Sequence, residues 1–266
     1  MNKVQSYFTS ISSDNYMPGV LVLDYNLKKL NSKYPLSVLV SKNVTNKVRK
    51  KLISKNIKIL EVEESLNEFM PTNANQSKFK HWSSTLDKLL LFKFTQYDKI
   101  VFLDSDLLIY ENLDFLFEKE HLTAPRAEAI IYDWNYLNSS TLVIVPSKQF
   151  YDVLYNEYLA IIEEKESFGD QDVINKTVPD WNLKYELILP PKYNVYIYHL
   201  EAYIKQHGFN FSKYKSEKSI AIIHFAGAVK PWMFGNWRRI WYGVTRLQLN
   251  FLRATFKYMY YLIKAS

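Results

Sequence analysis

The segment Lys99-Ile100-Val101-Phe102-Leu103-Asp104-Ser105-Asp106 decides the fold that this sequence predicts. Its apolar half predicts a buried β-strand over residues 99–103, and two carboxylates follow where that strand should end. Side chains two residues apart in an extended chain point the same way, so Asp104 and Asp106 can converge on one cation. Hard carboxylate oxygens suit Mg²⁺ or Mn²⁺.

Strands and helices alternate along the chain before this segment. The sequence predicts strands at 3–11, 36–40 and 57–62, helices at 18–30, 44–55 and 84–95, and a polar, irregular loop at 63–80. This alternation predicts an α/β fold with a parallel sheet of the nucleotide-binding type. Because open α/β sheets bind ligands beyond the carboxyl ends of their strands, the two aspartates lie where a ligand is expected.

The second half of the sequence is mixed. It predicts strands at 129–133, 142–145 and 219–225 and a long helix at 147–166. The sequence contains no internal repeat and no low-complexity linker. We therefore expect one catalytic domain over residues 1–235 and a helical tail over 236–266.

The positive charge of the chain is concentrated in this tail. Lys and Arg number 34 against 27 Asp and Glu, and no acidic residue follows Lys218. On a helix, the basic residues of the tail form one stripe beside aromatic and aliphatic side chains: Arg239, Arg246, Arg253, Lys257 and Lys264. Two interpretations stay open. The tail is either an interfacial helix on an anionic membrane or a helix that packs on the core.

The composition excludes several kinds of site. Without cysteine there is no disulfide, cysteine-ligated zinc, iron–sulfur cluster or thiol nucleophile. The six glycines match neither phosphate-binding glycine loop, so a phosphate site would need a metal and side-chain cations.

An apolar signal segment is missing at the N-terminus, which predicts a cytoplasmic protein, with the inner membrane face as the alternative. Nucleic acid is not an expected partner, because no recognition motif accompanies the basic tail.

Three further segments carry polar side chains next to predicted strands or helices. His224 follows the strand at 219–225 and could supply a third metal ligand, with Lys230 placed to meet a diphosphate. Asn138 and Ser139 precede the strand at 142–145, and Asp170 opens a short helix, where it could be only an N-cap. Each has an ordinary structural explanation when taken alone.

Taken together, these segments resemble glycosyltransferase family 8, the glycogenin-like retaining enzymes that transfer a sugar from a nucleotide sugar. The similarity runs from about Tyr7 to Trp232. The motifs that carry it are Thr85-Leu86-Asp87-Lys88, Phe102-Leu103-Asp104-Ser105-Asp106, Asn138-Ser139, Gly169-Asp170-Gln171, and His224-Phe225 with Gly227 and Lys230-Pro231-Trp232.

The resemblance implies a single nucleotide-diphospho-sugar glycosyltransferase domain of the GT-A type, with a Rossmann-like mixed sheet and a C-terminal amphipathic helix. It implies retaining transfer of a hexose from a nucleotide sugar, with UDP expected, to a glycan or another hydroxyl acceptor. By the same resemblance, Mn²⁺ or Mg²⁺ would be bound by Asp104, Asp106 and His224. An anionic membrane surface at 236–266 and a second copy of the chain are the remaining candidate partners.

Roles for individual residues also follow from the resemblance alone. Asn138, Asp170 and Gln171 would be the catalytic residues. The nucleotide sugar would contact Ser13, Tyr16, Lys88, Asp104, Ser105, Asp106, Ser139, Gly227 and Lys230. Many members have Gly where this chain has Ser140 and Asp where it has Ser167, so the donor sugar stays open.

Alternatives remain for the mechanism and for the function. Retention would need either a covalent intermediate, with Asp170 as nucleophile, or attack from the leaving-group face, which we favour. The chain could instead be an inactive, membrane-associated protein that binds a nucleotide sugar or a carbohydrate. A third reading is an aspartate-based phosphatase, although Leu108 stands where those enzymes usually have Thr or Val.

Overall fold

The chain folds as strands and helices that alternate through its first half. The computed structural model describes residues 4–69, 83–164, 168–212, 214, 216–233 and 236–266. The strands in these ranges are β1 (Gln5–Ile11), β2 (Leu36–Val40), β3 (Lys58–Glu61), β4 (Lys99–Leu103), β5 (Leu107–Ile109), β6 (Ala124–Glu128), β7 (Trp134–Leu137), β8 (Thr141–Ile144), β9 (Ile188–Leu189), β10 (Val195–Tyr196) and β11 (Ile222–His224). The α-helices are α1 (Met17–Lys29), α2 (Asn46–Ser54), α3 (Lys148–Glu164), α4 (Asp170–Thr177), α5 (Leu200–Lys205), α6 (Asn236–Thr245) and α7 (Leu249–Ala265).

A five-stranded sheet with the order β3-β2-β1-β4-β8 forms the centre of the molecule. All its neighbours run parallel except β4 and β8, which are antiparallel. The chain passes from β1 to β2 on one side and returns to β4 on the other, so the direction of winding reverses between β1 and β4. Ligands of open α/β sheets bind at such a reversal, beyond the carboxyl ends of the strands. The predicted mixed α/β fold is confirmed.

Alternate side chains of the central strands enter two cores on opposite faces of the sheet. Tyr7 and Val101 pack with the apolar residues of α1 and α2. Phe8 and Phe102 face the other way, toward α3 and the helical segment that precedes β4. All four side chains are buried, and burying each contributes roughly 1.5–3 kcal/mol. The two cores fix the strand ends from which the site is built.

Two small sheets extend the central one. The first has the order β10-β11-β5, and the second has the order β7-β6-β9. β5 follows β4 after a three-residue turn, and it pairs antiparallel with β11. The turn between β4 and β5 carries both aspartates of the motif, so the first small sheet holds that turn from its far side.

The tail forms two helices rather than the single predicted one. The helix α6 ends at Thr245, a turn follows at Leu247, whose φ of 51° is left-handed, and α7 begins at Leu249. One face of α7 is buried and packs on α1, with the rings of Tyr25 and Tyr261 5.2 Å apart. For this face of α7, the interpretation of the tail as a helix that packs on the core is therefore correct. The prediction that Arg239 belongs to the basic stripe of the tail is wrong. Its side chain is 3% exposed and lies against the rings of Tyr198 and Phe225.

The predicted strand at 129–133 is wrong. Residues 129–131 form a turn between β6 and β7. The carboxylate of Glu128 accepts hydrogen bonds from the backbone N–H groups of Ile130 and Ile131, at 3.2 and 3.3 Å, and Asp133 has a φ of 54°. The apolar residues of the segment, which suggested a strand, instead pack against the core that contains β11.

Other predicted elements are present with shifted bounds. The helix expected at 84–95 is a 3₁₀ helix over Ser83–Lys93, and within the loop expected at 63–80 a 3₁₀ turn covers Leu66–Phe69. Residues 70–80 of that loop lie outside the described residues, as do residue 3 of the first predicted strand and residues 165–166 of the long helix. The strand expected at 219–225 is shortened to β11.

Candidate active site

A cleft of about 700 Å³ opens at the carboxyl end of β4. It lies beside the end of β1, where the winding of the central sheet reverses. Of the predicted site residues, the following line it: Tyr16, Lys88, Asp104, Ser105, Asp106, Asn138, Ser139, Asp170, Gln171, His224, Gly227 and Lys230. Ser13 is not part of the lining; it precedes the 3₁₀ turn Asp14–Tyr16, while Ser10 and Ser12 line the cleft.

Strand register brings the predicted metal ligands together. β5 begins one residue after Asp106, and its first residue, Leu107, stands opposite His224 of β11. The N–H of Phe225 donates to the carbonyl oxygen of Asp106 at 3.0 Å, which closes the pairing next to the carboxylate. One carboxylate oxygen of Asp104, one of Asp106 and one ring nitrogen of His224 lie within 4.8 Å of one another. The three side chains can therefore reach a single cation.

Asn194 orients the imidazole of this cluster. Its Nδ2 donates to the carbonyl oxygens of Arg126 and Ala127 at 3.1 and 3.0 Å, so its Oδ1 must face the other way. That oxygen lies 2.9 Å from Nδ1 of His224. Since Oδ1 can only accept, Nδ1 carries the proton and Nε2 of the neutral ring keeps its lone pair for a metal.

Lysine ammonium groups flank both aspartates. Nζ of Lys230 donates to Oδ2 of Asp106 at 2.6 Å. Burial acts to raise the pKa of Asp106, but the charge of Lys230 opposes it and that pKa lies below its usual range. The pKa of Asp104 is raised by burial and by the charge of Asp106, although Lys88 opposes the rise. Two carboxylates this close favour a cation between them, because it removes their mutual repulsion.

Lys88 is the buried cation of the site, and its side chain is 2% exposed. Its Nζ lies 3.1 Å from Oδ1 of Asp104, 2.9 Å from Oδ2 of Asp170 and 3.2 Å from Oγ of Ser139. Burial acts to lower the pKa of Lys88, but the two carboxylates outweigh it and raise the pKa above its usual value. The ammonium group therefore stays charged and ties the turn after β4 to the first turn of α4.

Asp170 does not cap α4. Gly169 is the N-cap residue, and its N–H donates to the carboxylate of Asp172 at 2.8 Å. The carboxylate of Asp170 instead points to Lys88 and accepts from Oγ of Ser139 at 2.5 Å. Burial acts to raise the pKa of Asp170, but Lys88 and the hydrogen bond from Ser139 outweigh it, so the pKa is lowered. The cleft thus contains an ionised carboxylate at Asp170, paired with an ammonium group and a hydroxyl.

The amide groups of Asn138 and Gln171 form the far wall of the cleft. Nδ2 of Asn138 donates to Oε1 of Gln171 at 3.0 Å and to the hydroxyl of Tyr196 at 3.2 Å. Oδ1 of Asn138 accepts from the N–H of Ser140 at 3.0 Å. These bonds fix which end of each amide faces the cleft, so a sugar hydroxyl would meet a preset pattern of donors and acceptors.

Two glycines near the cleft have different structural roles: one adopts a positive φ and the other permits a close contact. Gly227 has a φ of 108°, a conformation that L side chains rarely adopt, in the loop between His224 and Lys230. Gly19 lies in α1 against the turn after β4: a Cβ there would come 2.6 Å from the carbonyl oxygen of Ser105 and from the ring of Trp232. The latter glycine lets α1 support the turn that carries both aspartates.

The charges of the site suit a divalent cation and a diphosphate together. Three carboxylates, those of Asp104, Asp106 and Asp170, face two ammonium groups, those of Lys88 and Lys230. The sum of these five charges is one negative charge, and a divalent ion would reverse it. Carboxylate oxygens and an imidazole nitrogen are ligands that Mn²⁺ and Mg²⁺ accept. The residues fit the ion that the resemblance implies.

Several residues of the site were not predicted. Asn194 and Tyr196 are about thirty residues from His224 along the chain and reach the site through β10, which pairs with β11. Trp134 and Tyr136 line the cleft from β7. Their alternation with Tyr132, just before Asn138, was a local signal for an aromatic face on a strand.

Solved structures of glycosyltransferases share this fold. A galactosyltransferase LgtC, solved in complex with donor and acceptor sugar analogues, superposes with a TM-score of 0.62 at 16% identity, covering 96% of both chains. The glycosyltransferase GlyE of Streptococcus pneumoniae gives a TM-score of 0.57 at 19% identity, covering 98% of this chain and 63% of that one. The fold is therefore that of the GT-A glycosyltransferases.

Sequence comparison identifies the family. Residues 9–144, about half of the chain, match Glycosyl transferase family 8. Human glycogenin-1 is 30% identical over 234 residues, which cover 86% of this chain and 63% of that protein. Galactinol synthase 3 of Arabidopsis thaliana is 26% identical, covering 87% of this chain and 75% of that protein. The chain belongs to glycosyltransferase family 8. It spans 51% of the length of glycogenin-1 from Caenorhabditis elegans.

Proposed function

We propose that this chain is a retaining hexosyltransferase that moves a hexose from a UDP-sugar to a hydroxyl of a glycan, with Mn²⁺ or Mg²⁺ bound by Asp104, Asp106 and His224. The observation that carries the proposal is the convergence of these three side chains within 4.8 Å, at the point where the sheet reverses its winding. A relative that is 25% identical, from Arabidopsis thaliana, bears the name putative UDP-glucuronate:xylan alpha-glucuronosyltransferase 3, which supports UDP as the nucleotide.

In this proposal, different residues of the site bind different parts of the donor. When bound, the cation supplies Lewis-acid stabilisation of the charge that grows on the departing diphosphate. Asp104, Asp106 and His224 hold it, and Asn194 keeps the imidazole in the tautomer that can bind. Lys230, now paired with Asp106, is the cation next to the expected diphosphate. The amides of Asn138 and Gln171 orient the hydroxyl groups of the sugar.

Attack from the leaving-group face is the route to retention that we favour. The carboxylate of Asp170 is 5% exposed, bound to Lys88 and Ser139, and its pKa is lowered, all of which weaken it as a nucleophile. Oε1 of Gln171 accepts from Asn138, and an amide is a poor nucleophile in any case. In the route that we favour, the carboxylate of Asp170 stabilises positive charge on the sugar and does not attack it. A glycosyl adduct on Asp170, found by mass spectrometry, would overturn this choice.

The experiment that tests the function is donor turnover by the full chain. A panel of UDP-hexoses is incubated with Mn²⁺ or with a chelator, and release of UDP is measured. We expect metal-dependent release from at least one donor, and loss of that release in Asp106→Asn with an unchanged circular dichroism spectrum. Asp152→Asn, an exposed position on α3, is the matched control and should keep full activity. Unchanged turnover in Asp106→Asn would refute the metal assignment.

The same experiment separates the other two functions. A protein that only binds would retain Mn²⁺-dependent affinity for a UDP-hexose, measured by calorimetry, and release nothing. An aspartate-based phosphatase would release inorganic phosphate from a phosphate ester and leave the glycosidic bond of the donor intact. Either result would remove the hexosyltransferase assignment while leaving the fold and the family in place.

We also propose that the tail binds an anionic membrane surface. None of the helices in the described ranges has the apolar length that a bilayer crossing requires. Apolar side chains on α6, on α7 and in the turn between them are more than 40% exposed: Trp237, Trp241, Val244, Leu247, Leu249, Phe256, Tyr260 and Ile263. Arg238, Arg246, Arg253 and Lys264 are exposed on the same two helices and their connection, which is the composition of an interfacial helix. The expected cytoplasmic location stays a prediction.

Vesicle sedimentation tests this surface. We expect the chain to sediment with vesicles that contain phosphatidylglycerol and to remain in solution with phosphatidylcholine alone. The double variant Trp237→Ser, Trp241→Ser should weaken binding at least about tenfold, because two large apolar side chains lose their burial. Tyr185→Ser, at a 74% exposed position outside the tail, is the control. Equal binding by the double variant and the unaltered chain would contradict the proposal.

A further inference from the structure

Three aromatic rings form a continuous exposed ladder at the mouth of the cleft. Tyr132 and Trp134 are stacked with their centroids 4.7 Å apart, and Trp134 and Tyr136 are stacked at 6.4 Å. The rings are nearly parallel, at 27° and 24°, and the three residues are 51%, 43% and 42% exposed. Trp134 and Tyr136 also line the cleft itself. The ladder thus extends from solvent into the site.

The backbone at one end of the ladder and the ring at its other end are tied to neighbouring residues, although all three rings are exposed. β7 ends at Leu137, whose N–H donates to Oδ1 of Asn175 and whose carbonyl accepts from Nδ2 of Asn175, both at 2.9 Å. At the other end, the ring of Tyr132 meets His199 edge-on at 5.0 Å, and Nδ1 of His199 is 2.9 Å from the buried carboxylate of Glu128. Exposed aromatic residues fixed in this way lose little conformational entropy when a ligand covers them.

We propose that the ladder of Tyr132, Trp134 and Tyr136 is the acceptor subsite, and that it binds an oligosaccharide of two or more neutral pyranose rings. This inference rests on the proposed transferase function. Consecutive pyranose rings present flat C–H faces, which pack on aromatic faces while their hydroxyl groups stay in water. A row of parallel, half-exposed rings fits such a chain better than it fits a globular protein partner, which would cover a broader patch.

The position of the ladder relative to the site agrees with an acceptor. Asn138, which faces the donor sugar in the proposed function, follows Tyr136 by two residues, about 7 Å along an extended chain. The ammonium group of Lys230 lies beside Asp106, where the diphosphate is expected, whereas Lys88 contacts Ser139 and Asp170, next to the expected donor sugar. The three ladder rings carry no charge at neutral pH, so the subsite favours a neutral sugar over an anionic one. The terminal hydroxyl of a bound glycan would then point toward the anomeric carbon of the donor.

The test separates acceptor binding from donor chemistry. Three properties of the full chain are measured with Mn²⁺: its affinity for UDP, its hydrolysis of the UDP-hexose by water, and its transfer of the hexose to an acceptor. The acceptors are maltooligosaccharides, cello-oligosaccharides and lactose-based oligosaccharides. We expect Trp134→Ala to raise the KM for the oligosaccharide acceptor about tenfold or more, as truncation of a central aromatic contact does. The same variant should change UDP affinity and hydrolysis by water less than about twofold. Trp134→Phe should restore most of the loss, and Tyr185→Ala should match the unaltered chain.

Binding without turnover keeps the two proposals distinguishable. The chain is applied to an array of neutral and anionic oligosaccharides in the absence of donor, beside Trp134→Ala and Tyr132→Ala. Retention of neutral oligosaccharides by the unaltered chain, and its loss in both variants, would support the ladder even if no UDP-hexose were hydrolysed. An array without any neutral ligand would overturn the inference. So would a Trp134→Ala variant whose acceptor KM is unchanged, or whose hydrolysis by water falls in parallel with transfer.

Discussion

Nδ1 of His224 lies 2.9 Å from Oδ1 of Asn194, and this contact decides which ring nitrogen faces the two aspartates. The amide of Asn194 cannot turn without giving up two hydrogen bonds to backbone carbonyl oxygens. The backbone near β6 therefore selects the tautomer of a side chain on β11. Outer partners of this kind raise the affinity of a histidine ligand, because they fix the ring and its proton.

Removal of this contact should weaken metal binding. We expect Asn194→Ala to lower the affinity for Mn²⁺ by about 10- to 100-fold, since the ring of His224 is no longer held in one tautomer. Electron paramagnetic resonance of free Mn²⁺ during a titration measures the affinity directly, without turnover. Asn46→Ala, an exposed position on α2, is the matched control. An Asn194→Ala variant with the affinity of the unaltered chain would show that the contact has no role in metal binding.

Lys88 should stabilise the fold as well as the site. In Lys88→Met the carboxylates of Asp104 and Asp170 lose a common buried partner, which should lower the free energy of unfolding by about 3–5 kcal/mol. Urea denaturation measures the change. Lys93→Met, on the same 3₁₀ helix but exposed, should alter stability by less than about 0.5 kcal/mol. If both variants unfold at the same urea concentration, the buried network does not contribute as we infer.

Gly19 should tolerate no side chain. The added methyl group of Gly19→Ala would meet the carbonyl oxygen of Ser105 and the ring of Trp232, neither of which can yield easily. We expect a loss of about 1–3 kcal/mol in stability, in spite of the better helix propensity of alanine, and weaker Mn²⁺ binding. Gly243→Ala, which meets chiefly the flexible side chain of Leu252, should lose less. Thermal unfolding and the Mn²⁺ titration together check both effects, and a Gly19→Ala variant of normal stability would refute the close contact.

Stability should fall in mild acid because of His121. Burial lowers the pKa of His121 to about 4, and its Nδ1 already accepts from the N–H of Val145 at 3.0 Å. The unfolded chain, with an ordinary pKa of about 6.5, binds the proton more readily, so stability is full above that value and decreases as the pH falls toward 4. Between pH 7 and pH 5 the expected loss is about 2 kcal/mol.

Comparison with His121→Gln isolates this contribution. Urea denaturation of both proteins at pH 7 and pH 5 gives the difference in their pH dependence, and acidic groups common to both cancel. The variant should lose less stability between the two pH values than the unaltered chain does. Identical losses would mean that His121 titrates normally in the folded protein.

Local pattern was enough to predict strands next to the proposed metal ligands. The four apolar residues before Asp104 form a strand in almost any α/β context, and the sheet edge then follows from strand direction. Before the resemblance, the sequence offered His224 only as a possible third ligand, because 118 residues separate it from Asp106 and the pairing of β5 with β11 brings them together. Asn194 lies on neither motif, and its role depends on carbonyl oxygens of a third segment.

The errors in the sequence predictions have similar causes. Residues 130 and 131 are apolar enough for a strand, but the carboxylate of Glu128 binds their N–H groups and imposes a turn. The helix of the tail is interrupted at Leu247, which has a left-handed φ. Glycine or asparagine would have predicted such a residue, but leucine does not. In the first place a local side-chain contact to the backbone outweighs the apolar pattern, and in the second a left-handed residue ends the helix.

Helix α7 has a consequence for any attempt to shorten this protein. Its inner face covers α1, and its Tyr258 stacks on Trp232 at 5.9 Å, the same ring that rests beside Gly19. Deleting these seventeen residues would expose an apolar face of α1 to solvent. It would also remove the side chains that pack against the loop that carries Lys230. Truncation is therefore a poor test of the proposed membrane surface. Polar replacements confined to the outward-facing residues of α6 and α7 would leave the scaffold intact.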